Sequence, residues 1–177
     1  MEKETIHQSK RFDVVKRDKK IGIEIKKVTI GVLPYTISNN MLSSIGVLHE
    51  YNNFRKGKYA NTLITGTLEA DDLDLLNCAI RELEEEGGFV QNDVDQWVFL
   101  GSFKLSKAST EEINVFAVNV TGIEQKEALG DGSKKEELSS LKMMNINDAI
   151  LTDEALFLAS FLRLFDFFYQ KTQSESK

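Results

Sequence analysis

Residues 66–89 have the sequence GTLEADDLDLLNCAIRELEEEGGF. Its apolar residues recur every three or four positions, the spacing that places side chains on one face of a helix. They are Leu73, Leu76, Ile80 and Leu83. We therefore predict an amphipathic helix over residues 72–86.

Both ends of this helix carry recognisable signals. Asp71 or Asp72 supplies a carboxylate that can cap the first turn, because aspartate accepts hydrogen bonds from main-chain N–H groups there. Gly87 and Gly88 follow the last turn, and glycine adopts the left-handed conformation that ends a helix at little cost.

The last turn of the predicted helix is acidic. Glu82, Glu85 and Glu86 are three and four positions apart, so their carboxylates share an arc of roughly 100°. Such neighbours repel each other by about 0.2–0.5 kcal/mol per pair, and the negative end of the helix dipole adds to the cost. A hard divalent cation that binds carboxylate oxygens offsets this repulsion. The alternative is a solvated acidic face, a common arrangement for a run of glutamates.

Residues 81–89, RELEEEGGF, resemble the second half of the Nudix box. That pattern runs Arg-Glu, an apolar residue, any residue, Glu-Glu, any residue, Gly and an apolar residue, and every specified position matches. The first half departs from the pattern, because Gly66 lies one residue further from Arg81 than in the family. The family's glutamate is also missing, and Asp72 is the nearest carboxylate.

A looser resemblance covers about residues 24–168 and points to the ADP-ribose pyrophosphatase type of Nudix enzyme. The segments that carry it are Val32-Leu33-Pro34-Tyr35, His49-Glu50-Tyr51 with Arg55, ASTEEINVFA at residues 108–117, and residues 151–164.

Apolar alternation and turn residues predict the remaining elements. We expect strands over residues 21–25, 28–35, 41–48, 59–65, 97–103, 113–120 and 141–144, and a second helix over residues 152–171. Strands interleaved with two helices indicate an α/β or α+β protein with a mixed sheet. The resemblance implies an α/β/α sandwich in one domain over residues 21–171, between a polar arm at 1–20 and a polar tail at 172–177.

The resemblance also implies a site. Glu82, Glu85 and Glu86 would bind Mg²⁺ or Mn²⁺ together with the main-chain carbonyl of Gly66, and Arg81 would orient a glutamate by ion pairing.

The expected site also includes a general base and two residues that contact the substrate. Glu137, or its neighbour Glu136, is a candidate general base in a charged loop, with Glu85 as its competitor. Phe54 and Arg55 are candidates for contacting a nucleobase by stacking or cation–π contact.

The implied activity is hydrolysis of a nucleoside diphosphate linked to another group, most simply ADP-ribose or a nucleotide sugar. A second enzymatic option is the hydrolysis of nucleoside triphosphates or a dinucleotide by the same helix. A third is a Nudix fold kept as a binding module or as a structural subunit of a larger assembly such as a virion. Retention of Glu82, Glu85 and Glu86 favours activity, since their repulsion serves no purpose in a retired site.

Composition limits the partners. The net charge is −6 with scattered Lys and Arg, so no basic stripe for long nucleic acid is visible. The most apolar stretch, residues 155–169, is too short to span a bilayer. A single cysteine, Cys78, and a charged start without an apolar run suggest a reducing, cytoplasmic setting. The resemblance adds a possible homodimer.

Overall fold

The computed structural model describes residues 3–52, 57, 59–129 and 139–175. It begins with a small antiparallel sheet of three strands, β1 (Lys3–Gln8), β2 (Phe12–Arg17) and β3 (Lys20–Ile25). Two of these strands lie in the segment expected to be a polar arm. The charged residues of this segment mask the alternating pattern of β1 and β2 in the sequence, because an antiparallel sheet with one solvent-exposed face carries polar side chains at many positions. The main chain of Ile23 joins this sheet to Ala108 and Thr110.

The main sheet has seven strands and is mixed. Its strands are β4 (Thr29–Ser38), β5 (Met41–Tyr51), β6 (Tyr59–Thr62), β7 (Ile64–Thr67), β8 (Trp97–Lys104), β9 (Glu112–Asn119) and β10 (Ser140–Asn145). The order is β10-β5-β4-β9-β8, with β6 beside β5 and β7 beside β4. Strand β4 runs parallel to β9 and antiparallel to β5 and β7. The mixed sheet is confirmed and contains six of the predicted strands, of which the one over residues 59–65 is divided into β6 and β7; the predicted strand over residues 21–25 is β3 of the small sheet.

Helices cover both faces of the main sheet. On one face, α1 (Leu75–Gly87) packs Cys78, Ala79 and Leu83 against even-numbered residues of β4 such as Ile30. On the other, the short α2 (Ile146–Ala149) and the long α3 (Ala155–Glu175) pack against odd-numbered residues such as Leu33. Alternate strand residues point to opposite faces, so each strand serves two cores. The α/β/α sandwich is confirmed.

Helix α1 begins three residues later than expected, at Leu75. Its N-cap is Asp74, whose carboxylate accepts the N–H of Asn77, and not Asp71 or Asp72. Asp72 is held elsewhere, and Leu73 is 88% exposed and contributes nothing to the buried face. The predicted end is confirmed: Gly88 has φ 70°, and its N–H bonds to the carbonyl of Glu84.

Among the described residues, none of the helices combines the length and apolar character that a membrane span requires.

Candidate active site

Arg81 lies at the centre of the candidate site and joins three parts of the chain. Its Nε and Nη2 donate to the two carboxylate oxygens of Asp72 at 3.1 and 3.0 Å. Its Nη1 donates to Glu82 Oε1 and to Glu85 Oε2, both at 2.8 Å. Nη2 also donates to the carbonyl of Thr67 at 3.2 Å. All five N–H groups of the guanidinium therefore have acceptors, and strand β7, the following loop and α1 are tied together.

The expected ion pair of Arg81 with a glutamate is present, and its partner set is larger than the sequence indicates. Asp72 lies before the first turn of α1 and accepts the N–H of Glu69 at 2.8 Å. This turn absorbs the extra residue in the first half of the box. The Thr67 carbonyl has no sequence signal, because every residue carries the same main-chain group.

Gly66 and Glu82 are in close contact. A Cβ atom at residue 66 would come within 2.0 Å of the carboxyl carbon of Glu82. A side chain at residue 66 would have to displace that of Glu82, which is 11% exposed. Gly66 therefore lets the main chain of β7 lie directly against a candidate ligand.

The ion pair of Arg81 with Asp72 shifts the pKa of both partners. The hydrogen bonds of the guanidinium to Asp72 lower the pKa of that carboxyl, and the same bonds raise the pKa of Arg81. Burial raises the pKa of the Cys78 thiol to about 12. Cys78 is therefore a neutral core residue, 3.5 Å from Arg81 Nη2, and not a nucleophile.

The described residues of this cluster keep a net negative charge after Arg81 is counted. When ionised, these residues carry four negative charges, on Asp72, Glu82, Glu85 and Glu86, and Arg81 adds one positive charge, so their net charge is −3. No basic residue lies in the last turn of α1, and the Oε2 atom of Glu86 is buried. Oxygen-only donors with excess negative charge suit a hard divalent cation.

The carboxylates are not gathered around one point as they stand. Within the described residues, no three His, Cys, Asp or Glu side chains form a group that could hold a metal ion. Arg81 Nη1 lies between two of the acids and is bonded to both Glu82 and Glu85. Arg81 is also held by three bonds to Asp72 and Thr67, so Glu82 and Glu85 can turn to a cation without releasing it. With that exchange the donor set fits a divalent cation.

The remaining expected site residues, Phe54, Arg55, Glu136 and Glu137, lie outside the described residues. His7 and His49 contribute ring contacts, with His49 stacked on Tyr59 at 4.5 Å and bonded to Asn61 at 2.9 Å.

Comparison with known proteins gives a family. Curated protein sequences yield no match. A solved structure described as "Crystal structure of ADP compounds hydrolase" is similar, with a TM-score of 0.66 and 16% identity over 97% of this chain and 94% of that one. The family model described as NUDIX domain matches residues 31–165, which is most of the chain. The protein therefore belongs to the Nudix hydrolase family.

Proposed function

We propose that the protein hydrolyses the pyrophosphate of a nucleoside diphosphate linked to another group, with ADP-ribose or a nucleotide sugar as substrate. The products are a nucleoside monophosphate and a sugar phosphate. Family membership supports the hydrolase class. The fold shared with an ADP compounds hydrolase over nearly the whole of both chains supports the choice of substrate class.

The observation that carries the proposal is the cluster around Arg81. Three carboxylates, of Asp72, Glu82 and Glu85, meet the Arg81 guanidinium, Glu86 follows in the same helical turn as Glu85, and no basic residue of that last turn offsets them. We assign Glu82, Glu85, Glu86 and the Gly66 carbonyl to a Mg²⁺ or Mn²⁺ site. A cation bound there neutralises a pyrophosphate and lowers the pKa of an attacking water.

The chain's own residues supply position and proton transfer in this proposal. Arg81, held by Asp72, orients Glu82 and Glu85. Glu137 or Glu136 takes the proton of the attacking water, with Glu85 as the alternative base. Separate Gln variants of the three glutamates distinguish them, because loss of the base removes the acidic limb of the pH profile of kcat as well as lowering kcat.

The nucleobase contact is assigned to Phe54 and Arg55. A stacking or cation–π contact with the base contributes mainly to ground-state binding, so Phe54→Ala and Arg55→Ala should raise KM more than they lower kcat. Equal KM values for wild type and both variants would place the base elsewhere.

The test is a substrate panel. The protein is incubated with ADP-ribose, nucleotide sugars, dinucleoside polyphosphates and nucleoside triphosphates, each with magnesium, with manganese and with a chelator, and the products are separated by chromatography. We expect metal-dependent release of AMP from ADP-ribose, or of the corresponding monophosphate from a nucleotide sugar. Turnover confined to triphosphates or dinucleotides would overturn the substrate class.

A second candidate function is a binding module that has lost catalysis. It is favoured by the bonds from Arg81 to Glu82 and Glu85, which relieve part of the repulsion between these acids within the protein itself. The acids are therefore weaker evidence for activity than their spacing indicates. Calorimetric binding of ADP-ribose without any hydrolysis of it, in the presence of either metal, would establish this function.

A further inference from the structure

A second set of contacts holds the end of α1, on the side where the helix meets the sheet. Gln125 Nε2 donates to the carbonyl of Gly87 at 3.0 Å and to the carbonyl of Leu141 on β10 at 3.2 Å. The N–H of Lys126 donates to the carbonyl of Gly88 at 2.8 Å. We name these three hydrogen bonds the 125–126 clamp.

The clamp provides hydrogen-bond donors for main-chain carbonyls that have no donor within the helix. The last carbonyls of a helix receive no hydrogen bond from an N–H group of the same helix, and Gly87 is the last residue of α1. Strand β10 is at the edge of the main sheet, so the carbonyls on its outer side have no neighbouring strand to donate to them. The two hydrogens of one amide join these two edges. Gly88 permits the approach, because a Cβ atom there would meet the carbonyl oxygen of Lys126 at 2.1 Å.

The clamped turn carries the candidate metal ligands. Glu85 and Glu86 directly precede Gly87, and mutual repulsion of acids at a helix C-terminus favours fraying of that turn. Bonds at Gly87 and Gly88 oppose the fraying. They also fix the turn against β10, while Gly87 itself packs against Ile64, two residues before Gly66.

We propose that Gln125 is a positioning residue that raises the affinity of the site for its divalent cation by fixing the last turn of α1. This inference rests on the proposed function, because it presupposes that Glu85 and Glu86 bind the cation. Its physical basis is preorganisation: ligands already held in place lose less freedom when the ion binds. Gln125 donates to main-chain carbonyls and acts through the helix main chain.

Gln125→Leu removes the amide donor and keeps a side chain of similar bulk. The matched control is Gln91→Leu, because Gln91 Nε2 also donates to a main-chain carbonyl, that of Asn119 at 3.0 Å, without touching α1. The readout is the dissociation constant of Mn²⁺, measured by titration calorimetry and by electron paramagnetic resonance on the complete protein, at a temperature where circular dichroism shows every variant folded.

We expect Gln125→Leu to weaken Mn²⁺ binding about three- to tenfold, as two part-buried hydrogen bonds to main-chain carbonyls allow, and Gln91→Leu to leave it unchanged. Equal affinity in wild type and Gln125→Leu would overturn the role of Gln125 and leave the metal site intact. Equal weakening by both variants would show a general loss of stability and also overturn it. Absence of Mn²⁺ binding by the wild type would overturn the metal site and, with it, this inference.

Discussion

Arg81 and Asp72 form a two-pronged ion pair, with Nε–Oδ1 and Nη2–Oδ2 distances of 3.1 and 3.0 Å. Fork-to-fork pairing of this kind fixes orientation as well as distance. Asp72 is shorter than the glutamate of the family pattern and lies one residue further from the arginine. The turn that begins at Glu69 brings it back to the guanidinium. A changed motif thus retains its ion pair.

Asp72→Asn should destabilise the protein by about 1–2 kcal/mol near pH 6, since a charge-assisted pair is lost from a side chain that is 6% exposed. The folded pKa of Asp72 lies below its ordinary value of 3.8. Its contribution is therefore present above about pH 4 and disappears as pH falls through the lowered folded pKa. Urea unfolding from pH 2 to 7 measures this.

The expected signature is a difference in unfolding free energy between wild type and Asp72→Asn that shrinks at acid pH. Asp71→Asn is the control, because Asp71 is an exposed neighbour of the same type. A difference that stays constant from pH 7 to pH 2 would show that the carboxylate charge of Asp72 does not stabilise the fold.

Arg81→Lys should increase the stabilisation that magnesium gives. A lysine offers a single point charge where five directed N–H groups are needed, so Glu82 and Glu85 keep more of their repulsion. A cation that relieves it then stabilises the folded state further. Thermal melts with and without millimolar magnesium should show a lower melting temperature and a larger magnesium shift than in wild type.

Arg163→Lys controls for the substitution itself, because Arg163 binds the carbonyl of Leu100 and covers the ring of Phe103, away from the acids. Its magnesium shift should equal that of wild type. A smaller magnesium shift in Arg81→Lys than in wild type would show that Arg81 does not relieve the repulsion between Glu82 and Glu85 that the metal relieves.

Gly66→Ala should damage the site more than the fold. The added methyl group would meet the end of the Glu82 side chain, which is flexible and can move. We expect a stability loss of about 1 kcal/mol and a rise in the metal concentration that gives half-maximal activity. Gly46→Ala adds the same group to the same sheet, 3.1 Å from the ring of Pro34, and should leave the metal response unchanged. An unchanged response in Gly66→Ala would remove Gly66 and Glu82 from the metal site.

Local patterns were sufficient to predict most of the fold. The helical spacing of Leu76, Ile80 and Leu83 identified α1, and the glycine pair identified its end. The beginning of α1 was misplaced because several aspartates in a row can each cap a helix. Only tertiary structure separates them: Asp72 is bound by Arg81, which leaves the cap to Asp74.

The contacts of the site likewise fall into those that the sequence predicted and those that only the tertiary structure shows. Motif spacing predicted the acids and Arg81, but the bonds from Arg81 to Thr67 and from Gln125 to Gly87 end on main-chain carbonyls. Such acceptors are independent of side-chain identity and leave no trace in the sequence. The sequence also could not show that Arg81 is shared between Glu82 and Glu85, since this depends on side-chain conformations within one helical turn.

The most direct measurement is turnover of ADP-ribose and nucleotide sugars by wild type, Glu86→Gln and Glu84→Gln with magnesium. Glu84 lies in the same helical turn but is exposed and outside the specified positions of the motif, so it is a matched control. We predict metal-dependent turnover by wild type and Glu84→Gln, and a loss of about 100-fold or more in Glu86→Gln. No turnover by wild type with either metal, or equal turnover by all three proteins, would contradict this prediction.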